Sequence, residues 1–145
     1  MSQKTNQHTI VAIFKQFEQY NRLHDTSKPL FFDTETTGGG REYQIIEIAF
    51  CDSDRHVIID TLIYTDRPSS LGALKVHGIY PHELLGKPTF IDIQPAIVQL
   101  LKGRTLYAYN ASFDVRIMRQ SGHKLRLQQV EGKHPTIPYC GGFQT

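Results

Sequence analysis

No apolar run in this chain approaches the 18 or more residues of a membrane-spanning helix. The N-terminus, Ser2 to Thr9, is polar and does not read as a signal peptide. Cysteine is scarce: Cys51 and Cys140 have no metal-binding spacing, and a reduced, cytoplasmic protein is the expectation. Charge of one sign is also lacking. Sixteen basic and fourteen acidic residues leave a formal +2, too little to argue nucleic-acid binding from net charge. There is no internal repeat and no low-complexity stretch beyond Gly38-Gly39-Gly40. What remains is a 145-residue chain of ordinary composition, enough for one domain with one core.

Residues 7–23 carry Ile10, Ile13, Phe14 and Phe17 at helical spacing, which predicts an amphipathic helix packed on a sheet or offered to a partner. With its connection it fills 1–28, ahead of a main unit at 29–145. Three strands follow at 29–34, 44–51 and 57–64, and Asp52 to Arg55 supplies a hairpin-like turn between the last two. Then come a short helix over 71–78, a helical turn over 79–86, and a helix ending at Lys102-Gly103 with Pro95 in its first turn. A fourth strand spans 105–109, and Asn110 caps a helix running to about Gln120. Residues 125–130 fit either helix or strand. The pattern is α/β with a mixed sheet flanked by helices: three antiparallel strands, then a fourth that can lie parallel to the first after a helical crossover.

The first strand delivers Asp33 and Glu35 and then breaks at glycine. Residues two apart share a face of a strand, so the two carboxylates lie together, about 6.6 Å apart along it. Two acids on one face of an otherwise apolar strand call for a cation, and carboxylates suit magnesium or manganese. A pair of exposed acids beside a turn is the bland alternative. Asp114 sits in the first turn of the helix after strand four, so a parallel fourth strand would bring it toward Asp33 and Glu35. Glu47 is read as paired with a basic or polar neighbour near the sheet end.

Phe31-Phe32-Asp33-Thr34-Glu35-Thr36-Thr37-Gly38 resembles the first motif of the DEDD exonucleases, the group that includes proofreading epsilon subunits of bacterial replicative polymerase. Tyr109-Asn110-Ala111-Ser112-Phe113-Asp114 resembles the second. Ile45 to Ala49, Val76 to Ile79 and Pro88 to Phe90 resemble the segments between them. The likeness covers about residues 29–120. It implies a ribonuclease H-like fold and hydrolysis of nucleic acid, DNA foremost, from its 3′ end to 5′-mononucleotides. It makes Asp33, Glu35 and Asp114 the catalytic metal ligands for two Mg²⁺ or Mn²⁺ ions, or one here. It places Thr34, Thr36, Thr37, His77, Asn110 and Phe113 against substrate, with backbone amides of Thr36 and Thr37 reaching the 3′ hydroxyl. Asn110 could equally serve as a cap, Phe113 as helix packing, and His77 as structure. A polymerase or replisome partner is also implied.

The family's third motif, a His or Tyr four or five residues before a last Asp, has no match. No Asp follows Asp114, and Glu131 is the single later acid. The expectation is that the chain ends before that motif, with C-terminal helices missing, and is much impaired or inactive alone. A general base typically contributes ~10²–10⁴-fold. Arg116, Arg119, His123, Lys124, Arg126, Lys133 and His134 form a basic group that could track phosphates or be a solvated face. The alternatives in function are a non-catalytic nucleic-acid-binding or polymerase-associated module, and a phosphatase on an α/β sheet.

Overall fold

The computed structural model describes residues 7–38, 40–108, 111–122 and 130–131. Helix α1 (Gln7–Leu23) turns Ile13, Phe17 and Tyr20 inward at spacings of four and three. That stripe enters the same apolar core as the sheet and α3, so α1 contributes directly to the packing of the sheet.

Strands β1 (Leu30–Thr36), β2 (Ile45–Asp52) and β3 (Val57–Leu62) form an antiparallel meander. Then come α2 (Leu71–His77), a 3₁₀ turn (Pro81–Leu84) and α3 (Phe90–Leu101). The crossover ends in β4 (Leu106–Tyr107), parallel to β1 with Leu30 beside Leu106. Helix α4 (Ala111–Ser121) follows, and β5 (Val130–Glu131) pairs parallel to β4. The sheet order is β3-β2-β1-β4-β5. Strand bounds move by one or two residues from those expected, and β4 is shorter.

The helix ends follow local chemistry. Ser70 Oγ accepts from the Ala73 amide at 3.1 Å, and Gly78 closes α2 in the left-handed region at φ 65°. Thr89 and Asp92 bond reciprocally at the start of α3. Pro95 lies in the second turn of α3 and not the first. It is tolerated because Pro95 and Ile91, whose carbonyl loses its helical donor, both face solvent.

One face of the sheet packs under α1, α3 and α4, through Phe32, Phe50, Ile93, Ile97, Ile117 and Met118. The other carries a small apolar patch of Phe31, Ala49 and Cys51 against Tyr107. Every residue of β2 is buried, as befits a strand with neighbours on both edges. No helix among the described residues is long and apolar enough to cross a membrane.

Candidate active site

Alternation along β1 sets the site. Asp33 is exposed and Glu35 half-buried on one face, while Thr34 and Thr36 are buried on the other. The register places Glu47 of β2 directly opposite Glu35, and Ala49 opposite both Asp33 of β1 and Asp60 of β3. Four acids therefore share one face across three strands. Beside them the ladder carries a β-bulge: Glu35 pairs with Glu47 but Thr36 with Ile45, leaving Ile46 as the extra residue. Ile46 then packs with Ile79 and Leu84, in a cluster separate from the main core.

The electrostatics record the crowding. Burial pushes the Glu35 carboxyl up to about 7, with Asp33 and Asp114 adding repulsion. Burial likewise pushes Glu47 up to about 7, helped by Asp60, Glu35 and Asp33. Asp33 is raised by the protein mass behind it, against the opposing effect of the Thr34 amide, which donates to its Oδ1 at 2.9 Å. Asp60 is raised by burial. Glu47 corrects the sequence expectation. It is 6% exposed, its Oε1 has no hydrogen-bond partner, and its charged neighbours are acids. It faces acids because strand pairing, not local sequence, chooses what lies across from it. The one available signal was an acid recurring in the middle of three successive strands.

Asp114, buried in the first turn of α4, accepts from Thr34 Oγ1 at 2.8 Å. Thr34, expected against substrate, thus faces away from Asp33 and Glu35 and spends its hydroxyl on Asp114. Thr37 is fully buried. Its amide donates to the Gln44 carbonyl at 2.9 Å, its hydroxyl accepts from the Gln44 amide, and its carbonyl accepts from Ser70. That amide is engaged with the scaffold. Thr36 Oγ1 donates to the Gly38 carbonyl. Gly38, at φ 156°, packs so closely that a Cβ there would lie 2.3 Å from Tyr43 Cε2.

A recess of about 300 Å³ gathers Glu35, Thr36, His77 and Phe113 with Ala73 and Val76 of α2. Next to it, a cavity of about 350 Å³ is lined by Glu47, Asp60, Leu62, His77 and Glu83. His77 stands between the two. It is 2% exposed, and its Nδ1 accepts from the Ile79 amide at 2.9 Å, which assigns the proton to Nε2. Nε2 lies near the Thr36 carbonyl without completing a hydrogen bond. Arg116 sits 5.4 Å over the Phe113 ring. Asn110 and the basic residues from His123 onward lie outside the described residues.

The donor set fits divalent ions. It is all carboxylate, partly buried and mutually repelling, and among the described residues no ion pair involves Asp33, Glu35, Glu47 or Asp60. The set is not closed. Asp33, Glu35 and Asp114 do not bring their oxygens within 4.8 Å of one another. Among the described residues, the group that meets this spacing is His24, Asp52 and His56, elsewhere on the sheet.

Comparison with known proteins identifies the family. Residues 30–141 match the exonuclease family RNase_T. The chain is 41% identical over 106 residues to DNA polymerase III subunit epsilon of Treponema pallidum, covering 70% of this chain and 49% of that protein. It is 35% identical over 99 residues to the uncharacterized exonuclease CP81 of Escherichia phage 186, covering 68% and 51%. The zinc-bound E. coli exonuclease I–single-stranded DNA complex superposes with a TM-score of 0.53 at 25% identity, covering 66% of this chain and 23% of that one. The chain spans about half the length of these curated relatives. Its mixed sheet under helices is the ribonuclease H-like fold of that structural neighbour, and the chain belongs to the exonuclease family.

Proposed function

We propose that this domain is a metal-dependent 3′–5′ exonuclease acting on DNA ends. The observation that carries the reading is the meeting of Glu35, crowded by Asp33 and Asp114, with a recess walled by Thr36, His77 and Phe113. The family works with divalent metal ions. Asp33, Glu35 and Asp114 are the residues that would hold them, as Mg²⁺ or Mn²⁺. Bound metal supplies a water of lowered pKa and neutralises charge building on the phosphate. Thr34 positions Asp114, Phe113 offers a ring to the terminal base, and Thr36 lines the floor. DNA as substrate rests on the exonuclease I neighbour, whose complex holds single-stranded DNA. A polymerase partner rests on the epsilon relatives.

The test is a 5′-labelled single-stranded oligonucleotide incubated with this chain and Mn²⁺. Shortening from the 3′ end is expected, abolished by Asp33→Asn. Because the sequence lacks a third-motif match, the rate should fall at least ~10²-fold below that of a complete family member. No Mn²⁺-dependent shortening above the Asp33→Asn background would favour the non-catalytic binding module. Release of phosphate from small esters instead would favour the phosphatase.

A further inference from the structure

At the far end of β1 from the acids, a second group of ligand-type side chains converges. Asp52 pairs with Leu30, five residues before Glu35, so about 17 Å of strand separates the two places. Asp52 is fully buried. Its Oδ1 accepts from the amides of Asp54 at 2.8 Å and His56 at 3.0 Å, which fixes the carboxylate in the β2–β3 turn. Its Oδ2 faces the Tyr20 hydroxyl and His56 Nδ1, each at 3.0 Å. Tyr20 in turn accepts from Arg104 Nη2 at 3.2 Å, and Arg104 Nε donates to the Lys28 carbonyl at 2.8 Å.

His24, just past the end of α1, completes the group. Its ring stacks on Tyr20 with centroids 4.8 Å apart and lies 4.1 Å from the ring of His56. One ligand atom from each of His24, Asp52 and His56 lies within 4.8 Å of the other two.

We propose that His24, Asp52 and His56 form a second metal site, for a zinc-class divalent ion, that clamps the end of α1 to the β2–β3 turn. The ligand chemistry separates it from the acid face. Two imidazoles and one carboxylate suit zinc and its late first-row neighbours, whereas magnesium prefers oxygen. Three protein ligands leave a fourth position for water. The carboxylate is steered by an outer shell, Tyr20 and then Arg104, in the way ligand carboxylates usually are. The side chain of His56 is 44% exposed, which leaves the ion a way in. The bond between His56 Nδ1 and Asp52 is the contact that the metal replaces: the ion takes that ring nitrogen, and the proton it carried moves through water to Nε2 of the same ring.

The experiment uses the chelator-treated chain carrying Asp33→Asn and Glu35→Gln, so that the acid face is disabled. Zn²⁺ is titrated by calorimetry. One zinc per chain is expected, with a rise in thermal midpoint. Adding His24→Gln or His56→Gln should weaken zinc at least about tenfold and remove the rise. Mg²⁺ should do neither. As a measurement independent of the histidine variants, Co²⁺ on the acid-disabled chain should give the intense visible absorption of a low-coordinate site. The proposal is overturned if that chain takes no zinc, if both histidine variants bind as before, or if Co²⁺ gives only weak octahedral bands.

Discussion

Thr34 Oγ1 donates to Asp114 Oδ1 at 2.8 Å across 80 residues of chain, joining the middle of β1 to the first turn of α4. Thr34 also lies between Asp33 and Glu35 in sequence, so one strand presents two acids on one face and orients a third from the other. Replacing Thr34 by Val keeps the shape and removes a donor from a carboxylate that is 4% exposed. Losing a hydrogen bond to a buried charged group costs about 1–3 kcal/mol. Urea denaturation should show that loss. Mn²⁺ affinity should fall while the Asp33 and Glu35 pair is untouched; unchanged affinity would separate Asp114 from the metal.

Glu35→Gln should have opposite effects on stability and on metal. Removing one of several crowded acids relieves repulsion, so the metal-free chain at pH 8 should become more stable. Mn²⁺ binding by calorimetry should weaken at least about tenfold. A variant destabilised without metal would mean that Glu35 has a structural partner after all.

Glu47 and Glu35 also set a pH dependence. Both are pushed up to about 7 from an ordinary 4.5. Between those limits the folded chain holds protons that the unfolded chain has released. Their contribution to stability is therefore full below about pH 4.5 and is lost as pH rises to 7. For the buried Glu47 this amounts to roughly 2–3 kcal/mol. Chemical denaturation across pH 4.5–8 without metal should show the decline, Glu47→Gln should flatten it, and Mg²⁺ or Mn²⁺ should offset it. A flat profile in the unaltered chain would contradict the crowding.

Gly38→Ala should be harmful beyond its size. The new Cβ would meet the flat ring of Tyr43 at 2.3 Å, and the ring packs against the main core. Overpacking of this kind costs about 1–3 kcal/mol. Pairing it with Tyr43→Ala should recover part of the loss, which a thermal-melt double-mutant cycle measures.

Much of this was legible in the sequence, and the boundary has a physical cause. The shared face of Asp33 and Glu35 follows from a period of two, and Asp114 at a helix start follows from strand–helix order. These are local rules. The bulge at Ile46, the facing of Glu35 by Glu47, and the Thr34–Asp114 bond depend on register between distant segments. So does Thr37, whose amide is taken by Gln44. The His24, Asp52 and His56 group escaped for the same reason, since its members meet only when α1 lies along the sheet.

The parallel pairing of β4 with β1 also orders events in time. Asp33, Glu35, Glu47 and Asp60 belong to one meander of neighbouring strands and can gather through short loops. Asp114 arrives only after the crossover through α2 and α3 closes a loop of some seventy residues, the slower kind of contact. On this ordering, refolding is expected to pass through a stage in which negative charge has accumulated on one face before the last acid docks. A divalent ion captured at that stage would act on folding as well as on catalysis, and the rate of refolding becomes a readout of the site.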